Sequence, residues 1–189
     1  MNTIFIPQRC ALQGITRNYK EPKSMIRILF VCHGNICRSP MAEFVLKDIV
    51  KKRGLEDKFY IESAATSTEE IWHGVGNPIY PQAKAKLREH GIGTADNELG
   101  VGDKRAKQTT KSDYEKFDYI IGMDKANIRN MQMIYGEDTD NKIYKMLDFT
   151  ERDGDVADPW YTGRFDATWL DVTEGCIGLL NKLESEGLI

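Results

Sequence analysis

Long apolar runs, cysteines and surplus positive charge are all scarce in this sequence, and each shortage closes off a class of function. No apolar stretch approaches the roughly 20 residues that span a bilayer, and the N-terminus lacks the charged-then-apolar layout of a secretory leader. The chain is therefore expected to be cytoplasmic, with no membrane insertion. Its 26 Lys and Arg are outnumbered by 29 Asp and Glu, interspersed to a net charge of −3. That balance offers no basic track for a nucleic-acid backbone, so no nucleic acid is expected as a partner. Four cysteines in 189 residues, Cys10, Cys32, Cys37 and Cys176, are too few and too scattered for a disulfide scaffold and suit a reducing compartment. The histidines His33, His73 and His90 share no metal-ligand spacing with one another or with the cysteines, and no metal or cofactor is expected.

What is present is an alternation of strand and helix patterns. "MIRILFVC" reads as a buried strand, and "SPMAEFVLKDIVKKRG" carries helical apolar spacing at Ala42, Val45, Leu46 and Ile49 up to Gly54. "FYIESAAT", "FDYIIGMD" and "KIYKMLDF" read as further strands. "NPIYPQAKAKLREHG" and "KANIRNMQMIYG" read as helices, and a last helix runs from about Asp166 to Glu186 with Cys176 on its apolar stripe. The fold class is α/β, a single domain over residues 25–189 with a four-stranded parallel sheet and helices on both faces. Residues 1–24 lack periodicity and are expected to form a peripheral N-terminal extension, a short strand from "TIFI" being the alternative.

The densest chemistry is in "FVCHGNICRSPMAE", Phe30 to Glu43, between the first strand and the first helix. In a parallel sheet the ligand crevice lies beyond the carboxyl ends of the strands, where backbone amides and a helix N-terminus attract anions. A loop of five residues, His33, Gly34, Asn35, Ile36 and Cys37, can curl so that successive N–H groups point inward, while Arg38 adds a planar fork for two oxygens. The implied ligand is a tetrahedral oxyanion. Cys32 at the floor of such a cavity is favoured as thiolate and becomes a nucleophile. Ser39 is placed either to cap the helix, with Pro40 at its first position, or to donate its hydroxyl to the Cys32 sulfur. Asn35 and Gly34 tolerate left-handed backbone and would hold the concave shape. A core cysteine and a solvated arginine are the plainer alternative, but that alternative does not account for the spacing.

These residues, with "IESAATSTEE", "GNPIYPQAKAKLREHGI", "FDYIIGMDKANIR" and "DPWYTG", resemble the low-molecular-weight protein tyrosine phosphatase family, whose phosphate loop reads C-x5-R-S directly after the first strand. The resemblance covers about Met25 to the C-terminus. It implies hydrolysis of phosphotyrosine in protein substrates through a cysteinyl-phosphate, without cofactor, and leaves the oligomeric state open. It implies that Asp158, in the "DVADPWYTG" loop, protonates the leaving phenolate, and that Trp160, Tyr161 and Trp72 wall the cleft. It also implies that Cys37 can pair with Cys32 after oxidation, a reading that their closeness in sequence supports. Where many relatives carry a histidine in an "HxARQ"-like stretch that braces the phosphate loop, the matching "DKRAKQTT" offers Lys104. Three other functions compete. Arsenate reductases of this fold need a further cysteine pair, and only Cys176 lies beyond the loop; a non-enzymatic phosphate-binding module would not need all of Cys32, Arg38 and Asp158. Phosphoarginine phosphatases resemble "GNTCRS", where Ile36 here makes a bulkier wall.

Overall fold

The computed structural model describes residues 25–189. The extension expected at residues 1–24, with Cys10 and the "TIFI" segment, lies outside the described residues. In chain order the elements are β1 (Ile26–Cys32), α1 (Arg38–Lys52), β2 (Phe59–Ala65), β3 (Ile71–Trp72), β4 (Val75–Gly76), α2 (Pro81–Glu89), α3 (Lys111–Lys116), β5 (Tyr119–Gly122), α4 (Lys125–Tyr135), β6 (Ile143–Lys145), α5 (Pro159–Thr162) and α6 (Phe165–Ser185). The main sheet has the order β2-β1-β5-β6 with every pair parallel, and β3 and β4 form a separate antiparallel hairpin.

The two-residue period of β1 sorts its side chains between two cores. Ile26, Ile28, Phe30 and Cys32 join the core that contains Met41, Phe44 and Val45 of α1 and Val172, Cys176 and Leu179 of α6. Leu29 and Val31 join the other, with Phe117, Ile120, Met131 and Tyr135. Helices therefore cover both faces, and Cys32 ends the strand on the α1 side. Fully burying a side chain such as Phe44 or Leu46 contributes about 2 kcal/mol, which is how an irregular loop is held between β1 and α1. The helix ends at Arg53, and Gly54, at φ +64°, turns the chain away.

Chain order also places the crevice. From β1 the sheet grows one way to β2 and the other way to β5, so the carboxyl ends of β1 and β5 sit side by side, with Val31 opposite Gly122. This is the switch point at which open α/β sheets bind ligands. The loop after β1 and the start of α4 after β5 share that edge.

Three features depart from the sequence reading. The strand expected over "KIYKMLDF" stops at Lys145, and Met146–Phe149 turn as a 3-10 helix. That turn lets α6 approach closely at Gly178, where a Cβ would stand 1.9 Å from the Phe149 carbonyl oxygen. The β3–β4 hairpin and the short helices α3 and α5 were not expected, since elements of two to six residues show too little periodicity to read.

Candidate active site

Cys32 is 3% exposed and opens at its sulfur onto a cavity of about 290 Å3 at the crevice. The loop that follows turns around that sulfur: Asn35 sits at φ +58° and its backbone N–H donates to Cys32 Sγ at 3.2 Å. Left-handed backbone of this kind is several-fold enriched at asparagine. The loop is also pinned from outside, since Thr66 N–H donates to the Cys32 carbonyl, Ser67 N–H to that of His33, and Tyr80 N–H to that of Ile36. His33, Gly34, Ile36, Cys37 and Arg38 all face the cavity, whereas Asn35 turns its side chain into the core and is 1% exposed.

Arg38 begins α1 and is 4% exposed. Its Nη1 donates to Asp124 Oδ2 at 2.5 Å and its Nη2 pairs with Asp158 Oδ2 at 2.5 Å. Burial works against its charge, but Cys32, Asp158 and Asp124 outweigh it and hold the guanidinium above its ordinary value. Asp124 caps α4 through Asn127 N–H, which fixes its carboxylate at the end of β5. Asp158 caps α5 through Trp160 N–H at 3.0 Å, and Pro159 occupies the first helical position. Cys32 and Arg38, from one loop, thus meet Asp124 and Asp158 from two other segments.

Ser39 does not cap α1. The helix already starts at Arg38, its N-cap is Cys37 and no side chain caps it, so the Ser39 hydroxyl lies within the first turn, 3.1 Å from Cys32 Sγ. Of its two expected roles, only the bond to sulfur is seen. Cys37 is 5% exposed, and burial together with the neighbouring Cys32 and Asp158 pushes its thiol well up. Cys176 is fully buried and its thiol is pushed up by burial alone, in keeping with a packing residue.

The aromatic residues divide. Trp160 and Tyr161 line the cavity at 55% and 85% exposure, and Trp160 meets Tyr80 edge-on at 5.1 Å between centroids. Trp72 is absent from the lining. It lies on the hairpin opposite Val75, 67% exposed, and Glu69 and Glu70 form that wall instead. Glu69 pairs with His33 Nε2 at 2.9 Å and Glu70 accepts from Asn77 Nδ2 at 2.7 Å.

The sequence reading missed Asp124, although "MDKAN" carries the signature of an N-cap. Only the sheet order shows that this cap faces Arg38. It also missed Ser63 and Glu43, while Lys104, the residue standing where many relatives have histidine, reaches both: its Nζ is 2.8 Å from Glu43 Oε2 and 2.9 Å from the Ser63 carbonyl.

Residues 27–188 match the family model described as low molecular weight phosphotyrosine protein phosphatase. The chain belongs to this family. Low molecular weight protein-tyrosine-phosphatase YfkJ of Bacillus subtilis is 40% identical over 164 residues, covering 86% of this chain and 98% of YfkJ. Its crystal structure superposes with a TM-score of 0.77 at 38% identity, over 86% of this chain and 97% of that one. The Streptococcus pyogenes phosphatase SP-PTP has a TM-score of 0.69 at 43% identity, over 84% and 93% of the two chains. DARP, a drosophila arginine phosphatase, has a TM-score of 0.71 at 30% identity, over 84% and 98%. The four-stranded parallel sheet is thus shared with the low-molecular-weight phosphatases. Among the described residues no helix is long and apolar enough to cross a membrane.

Proposed function

We propose that this low-molecular-weight phosphatase hydrolyses phosphotyrosine in protein substrates, with Cys32 as nucleophile, Arg38 as phosphate clamp and Asp158 as acid and then base. The observation that carries the reading is the convergence of these three side chains on one cavity, with Arg38 Nη2 and the Asp158 carboxylate 2.5 Å apart. The incoming phosphoryl group takes the Arg38 nitrogen that now holds Asp158 and frees that carboxyl to face the leaving oxygen. The Cys32 sulfur attacks phosphorus, the S–P bond forms, the P–O bond to the ring breaks, and the proton of Asp158 goes to the departing oxygen, whose phenol pKa is about 10. Water then attacks phosphorus, its proton passes to Asp158, and the S–P bond breaks to release phosphate. In both steps Arg38 and the loop amides of His33, Gly34, Ile36 and Cys37 hold the equatorial oxygens; Asn35, expected among them, instead directs its N–H to the Cys32 sulfur. Trp160 and Tyr161 offer ring faces to the tyrosyl group, and Cys37 serves as the resolving thiol if Cys32 is oxidised. None of these steps calls for a cofactor.

A nucleophilic thiol needs a reducing compartment, so we place the protein in the cytoplasm; fractionation of cells that make it checks this. The likeness to DARP keeps phosphoarginine as the second substrate to compare. Phosphotyrosyl, phosphoseryl and phosphoarginyl peptides presented to the wild type and to Cys32→Ser decide both reaction and substrate. Turnover of the first by the wild type alone is expected. Preference for phosphoarginyl peptide would change the substrate class, and turnover by the variant would remove Cys32 from its role.

A further inference from the structure

The segment that carries Asp158 is fastened immediately before the acid. Val156, 2% exposed, donates its backbone N–H to the Met123 carbonyl at 2.8 Å, beside the residue that caps α4. Ala157 is then held at both of its backbone polar atoms by one face of α6. Its N–H donates to Asp171 Oδ2 at 3.1 Å, and its carbonyl accepts the Thr168 hydroxyl at 2.8 Å. Residues three apart on a helix share a face, so two side chains of α6 do here what a neighbouring strand does for a sheet residue. From Asp158 onward the backbone bonds close within α5 and its cap: Thr162 N–H returns to the Asp158 carbonyl and Gly163 N–H to that of Pro159.

Both anchors are rigid. Thr168 is fully buried and Asp171 is 8% exposed, on a helix of 21 residues that packs through Val172, Cys176 and Leu179 into the core on the α1 side. Asp171 turns its second oxygen, Oδ1, to Arg152 Nη2 at 2.9 Å, and the same nitrogen pairs with Glu174 at 2.5 Å. The carboxylate is thereby oriented with Oδ2 toward Ala157. A helical threonine often returns its hydroxyl to its own helix, whereas that of Thr168 leaves α6 for the Ala157 carbonyl. A peptide unit is planar from one Cα to the next. The Asp171 bond therefore holds the plane that enters Ala157, and the Thr168 bond holds the plane that ends at the Asp158 Cα. What is left to Asp158 is rotation about its own backbone and side-chain bonds, the freedom its carboxyl needs to leave Arg38 for a substrate oxygen.

We propose that Thr168 and Asp171 are positioning residues that fix the pivot of the Asp158 loop, so that the carboxyl released from Arg38 arrives at the leaving-group oxygen. Neither lines the cavity, and their effect falls on proton transfer. The proposal rests on Asp158 being the acid, so Asp158→Asn is measured beside it. The double variant Thr168→Val with Asp171→Leu leaves Arg152 exposed and still paired with Glu174. In the folded double variant kcat/KM, which reports cleavage of the P–O bond, should fall about tenfold on phenyl phosphate, a fraction of what loss of the acid itself costs. On dinitrophenyl phosphate, whose leaving group departs without a proton, it should stay within about twofold of the wild type. Amide exchange across residues 150–163 should quicken about tenfold, with β1 and α1 unchanged. Thr168→Ser, which keeps the hydroxyl, should stay within about twofold of the wild type on both esters. If the double variant does not fold, Thr168→Val is read by the same pair of esters, with a loss of about fivefold expected on phenyl phosphate alone. A loss equal on both esters, or none, would overturn the proposal, while a selective defect in Asp158→Asn would keep the acid reading in place. A flat defect in Asp158→Asn would remove the acid reading and this proposal with it.

Discussion

Cys32 and Asp158, the proposed nucleophile and acid, reach one cavity from regions of opposite character. The Cys32 loop is sunk between β1 and α1, with Cys32, Asn35, Cys37, Arg38 and Ser39 all at 5% exposure or less, and it is bonded to β2, to α2 and to the segment around Lys107. The Asp158 loop has a four-residue helix whose Trp160 and Tyr161 are mostly in solvent, and its carboxylate is held by Arg38 and by one backbone N–H. The difference follows the demands on each side. Attack at phosphorus needs sulfur and donors fixed within a fraction of an ångström, whereas the acid must meet leaving groups attached to varied proteins. Arg38 alone belongs to both regions.

Breaking that shared point should therefore do the most damage. Arg38→Lys is expected to lower kcat/KM on aryl phosphates about a thousandfold, since a single ammonium cannot hold Asp124, Asp158 and two phosphate oxygens as the planar fork does. Near-normal efficiency by steady-state kinetics would take the clamp role away from it. Disabling only the exposed side should be milder and selective. Asp158→Asn should cost about a hundredfold on phenyl phosphate and much less on esters with activated leaving groups, which depart without a proton. A defect that stays flat across leaving groups would move the acid elsewhere and leave Asp158 as a helix cap. The smallest effect belongs to the buried side and shows only under oxidation. After mild peroxide and then dithiothreitol the wild type should regain most of its activity, and Cys37→Ser should regain several-fold less, because Cys32 has then lost its resolving thiol. Equal recovery, with no Cys32–Cys37 linkage by peptide mass mapping, would make Cys37 a packing residue.

The two regions were also unequally legible in the sequence. The buried side is coded locally: seven consecutive apolar-rich residues make β1, and C-x5-R-S follows at once, so strand, loop and helix are read from one continuous stretch. Ser39 was legible as part of that pattern, but whether it capped α1 or met sulfur depended on the helix starting two residues earlier than expected, at Arg38 and not Pro40. Asp158 needed the family pattern, because Asp-Pro by itself is ordinary turn chemistry. Asp124, Ser63 and Lys104 stand 86, 24 and 66 residues beyond Arg38, Ser39 and Arg38 respectively, and only the β2-β1-β5 order brings them in. Trp72 shows the reverse limit. The resemblance implied Trp72 as a wall of the cleft, but the hairpin turn at His73 and Gly74, both at positive φ, puts the ring outside the cavity lining and leaves Glu69 and Glu70 as the wall.

The start of α1 carries a consequence for the protein as a whole. Most helices satisfy their first N–H groups with a serine, threonine or aspartate side chain, and losing such a cap costs about 1 kcal/mol. Here the N-cap is Cys37, which supplies no such bond, at the helix that builds the core on one face of the sheet. A phosphoryl group bound in the loop as proposed would then also supply the missing cap of a structural helix. Folding and ligand occupancy become linked quantities: oxyanion at a hundred times its dissociation constant adds about 2.7 kcal/mol to the folded state. If the loop takes up phosphate as proposed, the folded chain is more durable in a phosphate-rich solution than in a phosphate-free buffer, which thermal unfolding with and without phosphate checks.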